Sequence, residues 1–579
     1  MFNKKNILVV VFIWVALFAY AQKNEKLGVN TILSTVDQES VFVSYNSPIL
    51  LAGESFFYKF YTTKNSNKPS DISKMGYVEL VNDSFQIITR QKLQLVNGMG
   101  YGDIFIATNI PSGNYKLIGY TQWMKNWGVT SFFQSDITII NPFRADQSAI
   151  LVDAVKNSKK LLEKISESSI DIRMSLSKNI FSKREKVLLA LEAKSNDIKG
   201  GNYTMLVRKK ESLNKPTAEQ QSTSQNQIIN YTPSNTDFFV PEMRGELLCG
   251  KIIAKKNQAL IYNKKVALNI LNTDYQLKIA STDNTGNFCI SIADNPLDKK
   301  GVLQVLGDDQ GEYEIVLHEK LGIDYKQLKF QKFELDASME QAILERSVHN
   351  QIENAYYSVK PDTIKMPIKR LPFYGTVGTT FELDDYTRFP TFKETMIEII
   401  SDARLTKKGS DSYSILINGI HENYKDGGYK PLIIVDGIVV QDVNDLMDYN
   451  ANKIKSITVV RDKYMVGAYV FAGIFDVITF EQDFAKNYNN SKTTNFNFNT
   501  NVNHKIYFKQ QYTTENFESY RNIPDYRHQL YWDPEFSLLN SEHNIDFYTS
   551  DVAGIFEITI EGFTKSGKFI QIKKTFEVE

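Results

Sequence analysis

Hydrophobic and polar residues alternate with period two in short runs along most of the chain. The runs ESVFVSYNSPILLAGESFFYKFYTT, YVELVN, FQIITRQKLQLV, GDIFIATNI and NYKLIGYTQWM follow one another between positions 39 and 124, separated by turn residues such as Pro111-Ser112-Gly113-Asn114. Alternation presents one apolar face per strand, and short strands broken by Gly, Pro, Asn and Ser predict a β-sandwich over 22–143. Residues 144–240 mix helical signals (DQSAILVDAVKNSKKLLEKI) with the strand-like KVLLALEAK and NYTMLVRKK, and include a polar stretch at 214–235 with no apolar period. They read as a second β domain with a linker. In 241–365, RGELLCGKIIAKKNQALIYNKKVALNILNTDYQLKIASTDNTGNFCISI predicts a small sandwich with a tight hairpin turn at Asp283-Asn284-Thr285-Gly286. The run ASMEQAILERSVHNQIENAYYSV follows as a helical connector, with apolar residues spaced three and four apart.

The pattern changes at 366–490. A helical run precedes the fully apolar PLIIVDGIVV, with Asp436-Gly437 as the turn between two strands. Then come a helical DVNDLMDYN, the strand IKSITVV and the glycine-punctuated YMVGAYVFAGIFDVITF. This order predicts a compact α+β domain with a small mixed sheet. Period-two alternation returns in IDFYTS, IFEITIEGFT and KFIQIKKTFEV, which predict a closing sandwich over 491–579. The fold class expected is mainly β: serial β-sandwich domains plus one small α+β domain.

Composition supports this reading. The chain has 579 residues, too many for one core. It carries 31 Tyr and 36 Phe, residues favoured in strands. The 67 basic and 67 acidic side chains cancel, so no charge excess points to nucleic acid or anionic lipid. Residues 1–21 read as a signal peptide: Lys4 and Lys5, an apolar core, then Ala19-Tyr20-Ala21 before the cut. Export permits a disulfide between the only two cysteines, Cys249 and Cys289; the alternative is two buried thiols on adjacent strands.

Several motifs resemble known families. Tyr45, Gly53, Glu54, Gly113, Tyr115, Tyr120, Thr121 and Trp123 resemble the pattern of the macroglobulin MG2 domain as found in exported Bacteroidetes proteins. Asp283, Gly286 and Phe288 resemble the turn of carboxypeptidase-regulatory-like modules, which are not catalytic. The runs PLIIVDGIVV and IKSITVVRDKYMVGAYVFAGIFDVITF resemble the plug of SusC/RagA-type TonB-dependent receptors, with Asp436, Gly437, Arg461, Asp462, Gly467 and Gly473 on its motif positions. A receptor of that class carries a barrel of about 22 strands, whereas only about a hundred residues follow position 480. Trp532, Pro534, Phe547, Asp551, Gly554 and Gly562 resemble the last sandwich of the same exported proteins.

No catalytic constellation accompanies these motifs. The histidines (318, 349, 421, 504, 528 and 543) have no metal-ligand spacing, and no nucleophile elbow, phosphate loop or HExxH is present. Four features remain open to two readings. Asp436-Gly437 is acid chemistry or a hairpin. Asp462 is a partner contact or a solvated turn. Asp283 is a metal ligand or a turn cap. Tyr120, Trp123 and Trp127 form a sugar platform or a packed core. The resemblances imply a non-enzymatic periplasmic accessory subunit, without cofactor or metal, that docks onto an outer-membrane β-barrel complex by protein contacts. The alternatives are a carbohydrate- or peptide-binding surface protein, or a macroglobulin-like protein that engages proteases without a thioester.

Overall fold

The computed structural model describes residues 37–64, 68–151, 172–210, 213, 238–256, 259–271, 276–293, 300–319, 322–365, 371–408, 412–419, 428–467, 469–484, 488, 492–498 and 501–579. The expected signal peptide, the helical signal after 151, the polar stretch 214–235 and His421 lie outside these residues. In chain order the strands are β1 (Glu39–Tyr45), β2 (Ile49–Leu51), β3 (Ser55–Lys64), β4 (Lys68–Pro69), β5 (Met75–Asn82), β6 (Ile87–Gln94), β7 (Met99–Phe105), β8 (Gly113–Tyr120) and β9 (Phe133–Ile140). They continue as β10 (Ile172–Leu176), β11 (Ile180–Phe181), β12 (Lys186–Ala193), β13 (Asn202–Lys209), β14 (Glu246–Ala254), β15 (Lys265–Ile270), β16 (Gln276–Ser281), β17 (Asn287–Ile292), β18 (Lys300–Leu306) and β19 (Tyr313–Leu317). After a long helix (Glu340–Ala355) come β20 (Thr363–Ile364), β21 (Thr379–Glu382), β22 (Ala403–Lys408), β23 (Ser412–Ile417), β24 (Leu432–Val435), β25 (Ile438–Val439), β26 (Ile454–Val460), β27 (Tyr464–Val466), β28 (Tyr469–Phe471) and β29 (Ile474–Thr479). The last six are β30 (Thr493–Asn497), β31 (Lys505–Ile506), β32 (Gln529–Phe536), β33 (Glu542–Tyr548), β34 (Gly554–Phe563) and β35 (Phe569–Val578).

The chain is mainly β and divides into two units. Unit 1 comprises 1–243, 322–366 and 501–579 and holds two sandwiches. The first pairs the sheet β1-β3-β4, with β7 also on β3, against β2-β9-β8-β5-β6. Val43, Tyr58, Phe60, Val78, Leu117 and Ile139 fill the space between them. All eight residues of β8 are buried, so period-two alternation fails there for a physical reason. One face of β8 meets the opposite sheet, while Ile118 and Tyr120 on its other face are covered by Tyr325 and Leu328.

The second sandwich is discontinuous in sequence. Its sheets are β10-β12-β33 and β11-β35-β34-β13-β32. Segments 144–240 and 491–579, expected as separate domains, therefore contribute strands to the same two sheets. The physical reason is strand pairing: β12 lies antiparallel to β33 from Lys186↔Tyr548 to Glu192↔Glu542, and β13 is flanked by β32 and β34. Strict alternation in β12 sends Val187, Leu189 and Leu191 into a core shared with Met205, Ile558 and Phe576. The helix expected as a connector after the small sandwich belongs to unit 1. Arg346 on that helix is buried, donates Nε and Nη2 to the Glu54 carboxylate at 2.6 and 2.7 Å, and donates to the Ile49 carbonyl at 2.9 Å. Burial alone would raise the Glu54 pKa, but the Arg346 guanidinium outweighs it and holds the carboxyl below its usual range.

Unit 2 comprises 244–321 and 367–500. Its small sandwich packs β17-β14-β19 on β16-β15-β18-β30, seven strands in the described residues. Ile252, Val266, Leu268, Phe288, Ile290 and Leu303 form its core. The turn Asp283–Gly286 differs from the expected hairpin. It joins β16, which pairs with β15, to β17, which pairs with β14, and so crosses between sheets. The α+β region forms the mixed sheet β21-β26-β29-β24-β25, in which β24 and β29 are parallel and the other pairs antiparallel. A helix (Phe392–Glu398) begins with a capping box of Thr391 and Glu394 and buries Phe392 and Met396 against Phe475, Ile457 and Val459.

Candidate functional site

The motif residues of the α+β domain converge on the ends of its central strands. β24 and β25 are joined by two residues, Asp436 at φ 47° and Gly437 at φ 83°. Two successive positive φ angles define a type I′ turn, which explains the Asp-Gly pair. The Asp436 carboxylate also does more than tolerate the turn. It accepts hydrogen bonds from Thr479 N at 2.8 Å, Thr479 Oγ1 at 2.6 Å and Phe484 N at 3.2 Å. These three donors tie the turn after β24 to the end of β29.

Gly473 has φ 103°, and a Cβ there would lie 2.5 Å from the Val460 carbonyl oxygen. Gly467 has φ 59°, and its Cβ would meet the Ile279 carbonyl oxygen of β16 at 2.8 Å. Both glycines permit close backbone approach in regions that side chains rarely adopt. Arg461 donates Nε to the Asn418 carbonyl at 2.6 Å and Nη2 to the Gly419 carbonyl at 3.3 Å, so it caps the end of β23. Asp462 beside it is exposed on a bend. The motif thus separates into residues with backbone or capping roles (Asp436, Gly437, Gly467, Gly473, Arg461) and one solvent-facing carboxylate.

Sequence reasoning missed two features of this region. The first is Asp476 in the central strand β29, 1% exposed, which accepts a hydrogen bond from Tyr374 OH at 2.5 Å. Burial pushes its pKa well above the usual carboxylate range. The second is an amide network between this sheet and the small sandwich. Asn269 Nδ2 donates to the Gly437 carbonyl at 2.7 Å, and Gln304 Nε2 donates to the Val439 carbonyl at 3.0 Å. Gln441 Nε2 in turn reaches Gln304, Val305 and Gln310 at 2.8 to 2.9 Å. Polar residues inside a β-strand on the sandwich side were the only signal for it, and local pattern gives no partner for such residues.

The other candidates resolve into structural roles. Trp123, Trp127 and Tyr120 are buried; Trp123 Nε1 donates to the Asp37 carbonyl, and Tyr120 stacks between Tyr77 and Phe132. They are core residues, not a platform for a sugar. Two buried carboxylates accompany them. Glu39 accepts from Ser70 Oγ, Ser73 N, Ser73 Oγ and Thr121 Oγ1, and Glu79 accepts from Arg90, Tyr120 and Tyr325. Glu54 caps the Leu51 amide and pairs with Arg346. Asp283 accepts from Thr285 N, Thr285 Oγ1 and Asn287 N, all at 2.8 Å. Those bonds, the Thr285 hydroxyl first, hold its pKa down at about 2. Cys249 and Cys289 stand directly opposite in the β14–β17 register, 4.1 Å apart at Cα, and are joined by a disulfide. Cys289 faces outward, so the alternative of two buried thiols does not apply.

Among the described residues no three His, Cys, Asp or Glu side chains form a metal-holding group. His349 and His528 lie together, Nδ1 to Nε2 at 2.9 Å, with Tyr526 stacked on His349. A polar cleft of about 280 Å³ lies in the small sandwich beside Lys255, Tyr313, Glu314 and Lys492. No helix in the described residues is long and apolar enough to cross a membrane.

No known family profile matches the chain, and no curated protein is similar to it. Solved structures that overlay on it include an Escherichia coli alpha-2-macroglobulin activated by porcine elastase, at TM-score 0.22 and 7% identity, covering 93% of this chain and 44% of that one. A Salmonella alpha-2-macroglobulin reacted with methylamine overlays at TM-score 0.21 and 9% identity, covering 93% and 39%. The Yersinia pseudotuberculosis adhesin InvE overlays at TM-score 0.13 and 10% identity, covering 48% and 57%. The chain spans less than half the length of these macroglobulins. At such scores the likeness carries no argument about activity.

Proposed function

We propose that this chain is a non-enzymatic recognition scaffold that docks onto an outer-membrane β-barrel complex from the periplasmic side, with the plug-like domain as its docking piece. The observation that carries the reading is how the motif residues of this domain are used. One face of its sheet is closed by Phe392, Ile433, Ile457, Val459, Phe475 and Val477, and the other packs Leu432, Ile434, Val460 and Ile474 with Ala267, Leu277 and Leu306 of the small sandwich. Its motif residues are spent on turns, caps and close backbone approach, so what it offers outward is surface. The resemblance to receptor plugs is what supports a β-barrel protein as the partner. Gentle-detergent purification of the tagged full chain from its native membranes tests it: a stoichiometric barrel protein is expected, and a soluble monomer would overturn it.

A second reading is a macroglobulin-like protein that engages proteases by contact. The serial sandwiches and the MG2-like residues of the first sandwich favour it. Both cysteines are consumed by the disulfide, so such engagement would proceed without a thioester. Retention of protease activity on small substrates, with loss on large ones, after mixing with the chain would support this reading instead.

A further inference from the structure

We infer that the long helix is an acid-sensitive strut: it releases its hold on the second sandwich when His349 and His528 both take a proton, and keeps its hold on the first. The helix meets the two sandwiches of unit 1 along two neighbouring rows, each with residues one turn apart. One row is Arg346, Asn350 and Asn354, which donate to the Glu54 carboxylate and to the Ile49, Ala52 and Gly53 carbonyls of the first sandwich. The other row is Glu345, His349 and Glu353. Glu345 accepts from Lys209 Nζ at 3.3 Å, His349 meets His528, and Glu353 accepts from Tyr526 N at 2.6 Å. Lys209 lies on β13, and Tyr526 and His528 lie on the segment that leads into β32 of the second sandwich.

The geometry of the histidine pair suits one proton held between two rings. Its nitrogens are 2.9 Å apart and its ring centroids 5.2 Å. The centroid distance exceeds the nitrogen distance by about two ring radii, so each nitrogen points at the other. Two rings that shared a metal ion at the same nitrogen separation would bend toward it and bring their centroids closer. A head-on bond needs one N–H and one lone pair. A neutral pair supplies both, and so does a pair that has gained one proton. Tyr526, stacked on His349 at 4.5 Å, offers a π face to that first charge. A second proton removes the lone pair and sets two N–H groups and two positive charges face to face. The carboxylates that flank the pair already have basic partners: Glu345 has Lys209, Glu353 has Lys360, and Asp525 has Arg527. Once the helix lets go, each ring takes a proton independently. The released state therefore binds more protons than the docked one and gains population as pH falls. The row of Arg346, Asn350 and Asn354 holds no imidazole, the group whose charge changes over that range.

The test is residue-resolved amide hydrogen exchange on the full chain, with protection corrected for the intrinsic rate at each pH. The Tyr526 amide, held by Glu353, reports the second row, and the Leu51 amide, held by Glu54, reports the first. Between about pH 7.5 and about pH 5, Tyr526 protection falls about tenfold, within the limit of tenfold per pH unit that one extra proton allows. Leu51 protection changes by less than about twofold over the same range. His528→Gln keeps a donor and an acceptor for His349 without a second charge, and it flattens the Tyr526 response; His349→Gln does the same. Unchanged Tyr526 protection in the wild type, or a parallel fall at Leu51, overturns the inference. So does a fall at Tyr526 that persists in a folded glutamine variant, which would assign the response to Glu353. If neither variant folds, the wild-type comparison of Tyr526 with Leu51 decides alone.

Discussion

At the scale of single residues, the motif of the α+β domain is a set of backbone solutions. Gly473 shows this most plainly, since any side chain would drive a Cβ to within 2.5 Å of the Val460 carbonyl oxygen at a φ of 103°. Gly473→Ala is expected to cost about 1–3 kcal/mol, read as a lower urea midpoint with an unchanged slope; an unchanged midpoint would count against this account of the motif. Asp476 makes the opposite kind of prediction. Its folded pKa is raised by burial from a reference of 3.8. Below pH 3.8 both folded and unfolded chains hold the proton. As pH rises the unfolded chain releases it first, so stability falls by about 1.4 kcal/mol per pH unit until the folded carboxyl titrates. Asp476→Asn removes that charge and keeps an acceptor for Tyr374. The variant is expected to be more stable than wild type at pH 8, with the gap closing toward pH 4. Parallel stability curves from denaturant titrations across that range would refute it.

At the scale of elements, the long helix is held to the first sandwich by one buried ion pair and a ring of amides. Besides Arg346, Asn350 and Asn354 donate to the Ala52 and Gly53 carbonyls. Removing the arginine strands the Glu54 carboxylate, so Arg346→Met is expected to destabilise unit 1 by about 3–5 kcal/mol. Adding Glu54→Gln should recover a large part of that loss. Equal destabilisation in the single and double variants, measured by thermal unfolding, would show that packing and not the pair holds the helix. Neither partner was legible as such. Glu54 stood out only as one position of the MG2-like pattern, and Arg346 lay in a helical run with no signal of what it faced. The strands themselves were legible wherever one face is buried, as in β12. The all-buried β8 still read as a strand because its turns flank it. The Asp-Gly hairpin was legible because two positive φ angles demand particular residues. The second role of Asp436, holding Thr479 at the end of the neighbouring strand β29, was not, because a hydrogen bond spanning 43 residues leaves no local pattern.

At the scale of the whole molecule, the chief gap between sequence and structure is the second sandwich. KVLLALEAK and IFEITIEGFT each announce a strand with one apolar face, yet period two states which face is buried and not which strand lies beside it. Strands from 172–209 and 529–578 close one core, and unit 2 enters the chain between β13 and β32 as two segments, 244–321 and 367–500, with 322–366 returning to unit 1 between them. A unit with its own cores suits a recognition module borne by a scaffold. The most direct test of that claim is purification of the tagged full chain from native membranes in gentle detergent, with the partner identified and its stoichiometry measured. The account predicts one β-barrel protein in constant ratio to the chain. A chain recovered as a soluble monomer, with no barrel protein in any fraction, would contradict it.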